Sequence, residues 1–227
     1  WYFWGGEIYS RADMFTANLA PKTKLLYNIR RILKRNNIDS SWEIPSHLFK
    51  KVDYFSTSIK EEYDYVKQYT GASFEHLWYT CYSIEDTVGP LKDCCCEGIN
   101  VMIGNSSSIK NNYIDVFWEI IKSKTLKNLR KSKVIIPLSY GEVWHRNLIM
   151  KIGKVLFGKQ MQALVTFMPL NEYNTLMLSC STIILGYIQP AGQGNIITAL
   201  WLGMRVYLSE KSLAFTFFKR VGAKVFS

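Results

Sequence analysis

The sequence predicts a Rossmann-like, doubly wound α/β domain with a parallel sheet over residues 99–227. Three observations support this fold class. Short apolar runs alternate with amphipathic, helix-forming segments along this stretch. The apolar runs are nearly continuous, which is typical of strands that a parallel sheet buries on both faces. The chain is also 227 residues long and 48% hydrophobic, which is enough to bury a sizeable core.

The elements of this domain are predicted as six strands that alternate with helices. The apolar runs predict strands at 99–104, 133–141 with its loop, 163–168, 181–188, 205–209 and 223–226. Helical periodicity predicts helices at 113–129, 144–157, 169–180, 194–203 and 212–222, with Asn171 as the N-cap of the third. Ligands bind outside the carboxyl ends of such strands, so functional residues are expected in the loops that follow them.

Residues 1–81 are less regular and are predicted to be the tail of a preceding α/β domain. Their predicted elements are a strand at 50–58, a helix at 59–71 that ends at a glycine, and a strand at 74–80. Residues 82–98 are predicted to link the two domains. Because the chain begins with Trp1 and stops just after a predicted strand, we expect a fragment of a larger protein.

The composition excludes several classes of protein. Disordered chains lack this proportion of apolar residues, and 14 Gly and 6 Pro are too few for collagen or low-complexity linkers. The longest apolar window, 176–188, is shorter than the roughly 20 residues that a membrane-spanning helix needs. The five cysteines contain no C-x-x-C pair and the three histidines have no ligand spacing. We therefore expect reduced cysteines in a cytoplasmic protein, with no metal site and no cofactor.

Positive charge is concentrated near the N-terminus. The chain carries 28 Lys and Arg against 18 Asp and Glu, a net charge of +10, and residues 21–51 hold eight basic residues against two acidic ones. A helix is predicted from Pro21 to about Asn36, with one apolar stripe made of Leu25, Leu26, Ile29, Ile32 and Leu33. The basic residues beside this stripe are Lys22, Lys24, Arg30, Arg31, Lys34 and Arg35.

Two interpretations of this basic helix are open. It is an ordinary amphipathic helix with a solvated basic face, or it lies on an anionic membrane surface, where each Lys or Arg contributes about 1 kcal/mol. Nucleic acid is not expected as a partner, because no recognised nucleic-acid-binding motif is present and the aromatic residues do not alternate with the basic ones.

The loops after the predicted strands contain the candidate ligand-binding residues. Residues Gly192 to Asn195 lie between a predicted strand and a helix. Glycines there allow close backbone approach, and a helix N-terminus offers free N–H groups to a phosphate. Gly104 and Asn105 occupy the same position after the first strand of the domain. The full G-x-G-x-x-G pattern is absent, and a plain turn is an equally good interpretation of these loops.

Five segments, in this order, resemble glycosyltransferase family 56, the TDP-4-acetamido-4,6-dideoxygalactose:lipid-linked saccharide transferases of enterobacterial common antigen synthesis. The segments are WGGEIY (4–9), GNSSSIKNNYIDVF (104–117), VIIPLSYG (134–141), NEYNTLMLSCSTIILGY (171–187) and GNIITALWLGMRVYLS (194–209). The chain departs from the family at 189–193. Members carry an Arg–Gln–Gln-like run there, and this sequence has Gln-Pro-Ala-Gly-Gln.

The resemblance implies a fold and a set of site residues. The fold is of the GT-B type, with two facing Rossmann-like domains, of which 99–227 is the donor-binding one and most of the N-terminal, acceptor-side domain is missing. Glu7 is the candidate general base, and a structural carboxylate that caps a turn is an equally weighted alternative. Trp4 and Tyr9 are expected to be packing residues. The implied donor-binding residues are Gly104, Asn105, Ser106, Tyr140, Gly141, Glu172, Gly192, Gly194 and Asn195.

On this resemblance the chain is a metal-independent transferase that lies peripherally on the cytoplasmic face of a bacterial inner membrane. Its implied partners are a nucleotide-sugar donor, a saccharide acceptor carried on a polyprenyl diphosphate, and the membrane surface, which favours the membrane interpretation of the basic helix. Two alternatives are open. The altered loop at 189–193 favours a GT-B glycosyltransferase with another donor, in capsule or O-antigen assembly. Only the net charge of +10 supports a non-enzymatic α/β module that binds nucleic acid.

Overall fold

The computed structural model describes residues 1–34, 45–79 and 83–227. We call residues 1–34 and 45–79 the first lobe and residues 83–227 the second lobe. The strands are β1 (Tyr54–Thr57), β2 (Glu75–Trp78), β3 (Asn100–Ile103), β4 (Val134–Pro137), β5 (Met161–Leu164), β6 (Cys180–Leu185), β7 (Arg205–Leu208) and β8 (Val225–Phe226). The helices are α1 (Gly6–Tyr9), α2 (Ala12–Ala17), α3 (Pro21–Lys34), α4 (Ser46–Phe49), α5 (Lys60–Thr70), α6 (Ile84–Val88), α7 (Tyr113–Lys122), α8 (Val143–Phe157), α9 (Leu170–Leu178), α10 (Gln193–Trp201) and α11 (Leu213–Arg220).

The second lobe is built on a six-stranded sheet in the order β5-β4-β3-β6-β7-β8. Every neighbouring pair in this sheet is parallel. Parallel neighbours need long crossovers, and helices supply them along the chain. The strand order reverses between β3 and β6, which is the switch point at which doubly wound sheets bind their ligands. The predicted fold class, a doubly wound parallel α/β domain, is confirmed.

Both faces of this sheet are covered, which explains the continuous apolar runs. Val101 and Ile103 of β3 pack with Phe117 of α7 and Ile149 of α8 on one face. Met102, between them in the chain, points to the opposite face, in a cluster that α9, α10 and α11 share. Burying each of these large side chains stabilises the lobe by roughly 1.5–3 kcal/mol.

The first lobe has a smaller core around a parallel pair of strands, β1 and β2. Phe55 of β1 stacks on Phe74 with ring centroids 4.7 Å apart, and Val66 of α5 is fully buried beside them. The predicted helix at 59–71 is confirmed, since α5 ends at Gly71 in the left-handed conformation (φ 62°). The strand predicted at 50–58 begins later, at Tyr54, because α4 and a turn precede it.

Several predicted boundaries in the second lobe were wrong. The helix predicted over 113–129 stops at Lys122, because Lys124 is left-handed (φ 58°) and 3₁₀ turns follow at Thr125–Lys131. The strand predicted at 163–168 lies earlier, at Met161–Leu164, where it is in register with β4. Asn171 is not an N-cap, because α9 already begins at Leu170 and Pro169 takes the cap position.

Residues 82–98, predicted as a linker, contain α6 in their described part. Val88 at the end of α6 is buried in the core of the second lobe, and the Asn174 side chain of α9 donates to the Thr87 carbonyl at 2.7 Å. This segment therefore packs on the second lobe. The domain boundaries proposed from the sequence stay a prediction.

Helix α3 joins the two lobes by packing along α7. Its first N–H groups are capped by Asp115 of α7, whose two carboxylate oxygens accept from Lys22 N at 3.0 Å and Thr23 N at 2.8 Å. The Thr23 hydroxyl donates to the same carboxylate at 2.7 Å. A second link lies at α5, where Glu61 forms an ion pair with Arg220 of α11 at 2.6 Å.

Candidate functional site

A cavity of about 300 Å³ lies between the lobes, where the carboxyl ends of both sheets meet. The first lobe contributes Thr57 and Ser58 from the end of β1, and Glu62 from the first turn of α5. The second lobe contributes Asn105, after β3, and the loop after β6 from Pro190 to Gly194. Loops after parallel strands thus converge from both sides, as the sequence rule on ligand sites predicts.

The N-terminus of α10 borders this cavity. Gly192 is its N-cap residue and is left-handed (φ 68°). Within the described residues, no hydrogen bond is made to the N–H groups of Gln193, Gly194 and Asn195. A Cβ atom on Gly194 would meet nothing within 4 Å, so the backbone is open to the cavity. Free N–H groups and the helix dipole make this place suitable for an anionic group such as a phosphate.

The loop after β3 is held by a network of buried polar side chains. The Tyr187 hydroxyl donates to Asn105 Oδ1 at 2.6 Å and accepts from Asn111 Nδ2 at 2.9 Å. Ser106 Oγ lies 3.2 Å from the same hydroxyl. Burial raises the pKa of Tyr187 well above its ordinary value, so this phenol stays protonated. The network fixes Asn105 at the cavity wall before any ligand arrives.

Helix α8 holds the same loop from the other side. Glu142 Oε2 accepts from the Ile109 N–H at 3.0 Å. His145 Nδ1 lies 2.8 Å from the Ser107 carbonyl, which only accepts, so Nδ1 carries the proton. Burial lowers the pKa of His145, which favours the neutral form of the ring. His145 is therefore a structural residue of this loop.

Three of the predicted glycines lie where the backbone is crowded. A Cβ atom on Gly104 would lie 2.2 Å from the Tyr113 hydroxyl, and one on Gly141 would lie 2.6 Å from Ser108 N. Gly192 is less crowded, with Asn105 Nδ2 at 3.0 Å from the built Cβ position. All three also have positive φ angles, so any other residue would strain the backbone. Gly104 and Gly141 do not line the cavity themselves, and they allow the close packing of the loops that do.

A second cavity, of about 180 Å³, adjoins the first at the carboxyl ends of β4 and β5. Asn105 and Tyr140 line both cavities. Asn195 of α10 and Tyr173 of α9 line the smaller cavity and not the larger one of this pair. The Tyr140 side chain is 59% exposed, so its ring is free to contact a bound molecule.

The structure separates the remaining predicted donor residues from these cavities. Ser106 is buried, and its hydroxyl is engaged within the loop after β3. Glu172 is exposed on the first turn of α9 and lines neither cavity. The structure thus brings Asn105, Tyr140, Gly192, Gly194 and Asn195 together around the two cavities.

Glu7, the candidate base, lies in α1 beside the cavity but not on its wall. Its Oε1 accepts from the Trp1 indole N–H at 3.2 Å and from Trp4 N at 3.3 Å. These contacts match the structural alternative, a carboxylate that holds a turn. Tyr9 is buried as expected, whereas the expectation for Trp4 was wrong: its ring is 72% exposed and lines the cavity.

Sequence reasoning missed the contribution of the first lobe. Ser58 Oγ donates to Gln193 Oε1 at 2.6 Å across the cavity, and Glu62 lies on the wall beside it. The available signal was positional, because Thr57 and Ser58 end the strand predicted at 50–58 and Glu62 follows it. Ligand-binding residues were expected in the loops after the strands of the second lobe, and the loop after β1 in the first lobe is of the same kind.

The basic helix α3 presents two different faces. Lys22 lies over the Trp118 ring at 4.9 Å and Arg30 over the Trp144 ring at 4.1 Å, so both contact the second lobe. Lys24 and Arg31 are exposed. Lys34 is the last residue of α3, and Arg35 and the predicted end of the helix lie outside the described residues.

Residues 1–34, 45–79 and 83–227 contain no group of three or more His, Cys, Asp or Glu side chains placed to hold a metal ion. None of the helices in these ranges combines the length and the apolar character that a bilayer span requires.

Comparison with known proteins gives a structural similarity only. No family model matches the chain, and no curated protein matches it. Among solved structures, the chain is similar to a sucrose-phosphate synthase from Thermosynechococcus elongatus, with a TM-score of 0.57 and 11% sequence identity. The match covers 95% of this chain and 51% of that one, so the chain spans about half the length of that structure. The fold is therefore of the GT-B type, as predicted, while membership of family 56 stays a prediction.

Proposed function

We propose that the chain is the donor-binding and catalytic part of a GT-B glycosyltransferase. One observation carries this proposal: a cavity of about 300 Å³ lies where the carboxyl ends of two facing parallel sheets meet, with the open N-terminus of α10 on its wall. The similarity to a sucrose-phosphate synthase structure supports the same class. A transferase needs two substrates in one space, and this cleft has a wall from each lobe.

The donor diphosphate belongs at the N–H groups of Gln193, Gly194 and Asn195. These groups stabilise the negative charge that grows on the diphosphate as it leaves. The nucleoside extends into the smaller cavity, where Tyr140 offers an exposed aromatic ring. Asn105, at the junction of the two cavities, offers its amide to the sugar or the diphosphate.

The finer assignment rests on the resemblance to family 56. It gives a TDP-linked deoxyamino sugar, such as 4-acetamido-4,6-dideoxygalactose, as the donor and a polyprenyl-diphosphate-linked saccharide as the acceptor. A different donor is the second candidate, because the loop that departs from the family, residues 189–193, supplies part of the cavity wall. Product analysis by mass spectrometry with a panel of nucleotide sugars distinguishes the two.

Nucleotide titration tests the class. We expect calorimetry with TDP, UDP, GDP and ADP to show saturable binding of at least one nucleotide by the protein. Gly194→Asp places a negative charge at the helix N-terminus without a steric clash, and should weaken that binding by about tenfold. Thr216→Asp, which adds the same charge at an exposed position of α11, should leave it unchanged. Absence of binding by all four nucleotides, or salt-sensitive retention of DNA that nucleotides do not displace, contradicts the proposal.

A peripheral location on the cytoplasmic face of a bacterial inner membrane is part of the same proposal. In α3 the side chains of Leu25, Ile29, Ile32 and Leu33 are 61%, 47%, 74% and 78% exposed. This apolar stripe therefore faces solvent instead of a core, which the solvated-helix interpretation does not explain. Lys24 and Arg31 flank it, so an anionic lipid surface is the matching partner.

Vesicle sedimentation tests the membrane proposal. We expect the protein to bind vesicles that contain anionic lipid, and a Leu25→Ser, Ile32→Ser, Leu33→Ser variant to lose that binding. Val155→Ser removes an apolar side chain that is 85% exposed elsewhere, and serves as the control. Unchanged binding by the triple variant contradicts the proposal, as does a dimer in solution that this variant dissociates.

A further inference from the structure

A carboxyl group lies on the wall of the interlobe cavity in the first lobe. It belongs to Glu62, in the first turn of α5 and just beyond the carboxyl end of β1. The residue is 4% exposed, and Thr57 and Ser58 line the cavity beside it. Gly192 and Gly194 line the same cavity from the second lobe. A carboxyl group and the proposed diphosphate site therefore border one space.

Two hydroxyl groups fix the Glu62 side chain. The Tyr9 hydroxyl donates to Oε1 at 3.1 Å, and the Thr57 hydroxyl donates to Oε2 at 2.6 Å. Neither donor is a cation, and none of the ion pairs within the described residues includes Glu62. Each carboxylate oxygen accepts two hydrogen bonds, so each keeps one position for a further donor. The Glu62 carboxylate is thus held in a fixed orientation, and its oxygens can still accept a proton or a hydrogen bond from a further donor.

Glu7, the other carboxylate nearby, is differently placed. One of its oxygens already accepts two N–H groups of the turn that contains it, from Trp1 and Trp4. It is absent from the cavity wall that includes Glu62. Its negative charge acts on Glu62 and disfavours ionisation there. The other Glu7 oxygen, Oε2, is buried and has no hydrogen-bond partner among the described residues. Of the two carboxyl groups, Glu62 is the one on the cavity wall.

We propose that Glu62 is the general base of the transfer reaction. The proposal rests on the glycosyltransferase function stated above. The acceptor hydroxyl oxygen forms a bond to the anomeric carbon of the donor sugar. The bond from that carbon to the diphosphate oxygen breaks, and its electron pair leaves with the nucleoside diphosphate. The hydroxyl proton passes to the Glu62 carboxylate, and the anomeric configuration inverts in this single displacement.

The titration of Glu62 supports this role. Burial raises the pKa of its carboxyl to about 7, against the opposing effect of the hydrogen bonds from Thr57 and Tyr9. A base with a pKa near the working pH is partly ionised there and still binds a proton strongly enough to assist the reaction. Within the part of the chain that the structure describes, Glu7 is the charged group that acts on Glu62, and the side chains hydrogen-bonded to Glu62 are these two neutral hydroxyls.

Steady-state kinetics of Glu62→Gln test the proposal. We expect kcat to fall by about 100-fold or more, with the nucleotide affinity within about twofold of the wild type. Glu75→Gln, at an exposed position of β2 in the same lobe, is the matched control and should keep kcat within about threefold. An unaltered kcat in Glu62→Gln, or a product of retained anomeric configuration, overturns the proposal.

The pH profile separates a base from a structural carboxyl. In the wild type, kcat/KM should rise with pH through about 7, as Glu62 ionises. Tyr9→Phe keeps the carboxyl but removes a hydrogen bond to its charged form, so this limb should move to higher pH. If Glu62 only supports the fold, Tyr9→Phe leaves the limb in place, and that result also overturns the proposal.

Failure of this inference is distinguishable from failure of the proposed function. A wild-type protein that binds nucleotide and transfers sugar, with an equally active Glu62→Gln variant, keeps the function and removes Glu62 from it. A wild-type protein that binds none of the four nucleotides removes the function itself, and the inference with it.

Discussion

At the scale of single residues, the Tyr187 hydroxyl is the centre of the network that holds the loop after β3. It contacts Asn105, Asn111 and Ser106, three residues of that loop. The buried amide of Asn111 also donates to the Ser106 carbonyl at 3.0 Å. Removing the hydroxyl leaves Asn105 Oδ1 without this donor, and buried polar atoms without a partner are costly.

We predict that Tyr187→Phe lowers the free energy of unfolding by about 1–3 kcal/mol. The same variant should weaken nucleotide binding, because Asn105 loses the contact that orients its side chain at both cavities. Urea denaturation and calorimetry measure the two effects. Tyr54→Phe removes a hydroxyl from a side chain that is 56% exposed, and its stability should stay within about 0.5 kcal/mol of the wild type. Equal stability of Tyr187→Phe and the wild type contradicts the prediction.

Because of Glu62, the free energy of unfolding depends on pH, and this dependence can be measured without any substrate. Burial raises the pKa of this carboxyl from 4.5 to about 7, so between these values the folded state binds the proton that the unfolded chain releases. The free energy of unfolding therefore falls as pH rises through this window. We expect the wild type to lose roughly 2–3 kcal/mol relative to Glu62→Gln between pH 4.5 and 8, in urea titrations. Parallel stability profiles for the two proteins contradict this.

At the scale of elements, helix α3 depends on a cap supplied by another helix. Asp115 of α7 accepts from the backbone of Lys22 and Thr23, where an N-cap side chain of α3 itself would otherwise act. The helix begins at Pro21, whose missing N–H needs no partner. The cap therefore fixes both the start of α3 and its position against the second lobe.

We predict that Asp115→Ala destabilises the attachment of α3 by about 1–2 kcal/mol. Amide hydrogen exchange should accelerate in residues 21–34, whereas α5, which has no contact with this carboxylate, should exchange as in the wild type. Glu119→Ala, at an exposed position of α7, is a control with the same change of charge. Uniform acceleration over the whole first lobe contradicts a local role for the cap.

The elements that could be predicted from the sequence are those whose own pattern decides their structure. The six apolar runs of the second lobe became six strands, because burial on both faces demands continuous apolar residues. Gly71 ended α5 as expected, because a left-handed residue terminates a helix. The early end of α7 was not predictable, since Lys124 is a left-handed residue that is not glycine. Short helices such as α1 and α6 have too few residues for a periodic signal.

At the scale of the whole molecule, the interlobe cavity was only partly predictable. The loops with Gly192 and Asn105 follow strands of the predicted sheet, and their meeting was an expected result of parallel topology. The contribution of Glu62 and Ser58 depends on how the first lobe faces the second, and no local pattern encodes that arrangement. The exposure of the apolar stripe of α3 could not be predicted either. The sequence shows that the stripe exists, but not which face of α3 packs against the second lobe.

Lys110 links the lobes and gives the whole molecule a second pH dependence, opposite in sign to that of Glu62. Its ammonium group donates to the Tyr9 carbonyl of the first lobe at 2.8 Å. Burial lowers the pKa of Lys110 from 10.5 to about 8, so between these values the unfolded chain binds more protons than the fold. The free energy of unfolding therefore rises with pH in this window.

We expect this rise to reach up to roughly 3 kcal/mol between pH 8 and 10.5 in the wild type, and to be absent in Lys110→Met. Urea unfolding in that range is the measurement. Lys151→Met, at an exposed position of α8, should keep the rise. A Lys110→Met profile that follows the wild type contradicts the assignment. Glu62 is ionised above about pH 7, and Lys110 is charged below about pH 8. Both buried groups therefore carry a charge near neutral pH, and their contributions to the free energy of unfolding are lowest there.

The close approach of Gly192 to Asn105 has a consequence for how this site can evolve. A Cβ atom on Gly192 would lie 3.0 Å from the Asn105 amide, which Tyr187 holds in place. A larger residue at 192 would have to displace this amide, and it would also adopt a left-handed conformation that only glycine takes without strain. Two independent constraints therefore act on position 192, and a smaller residue at 105 would relieve only one of them, so we expect folded variants to keep glycine at 192.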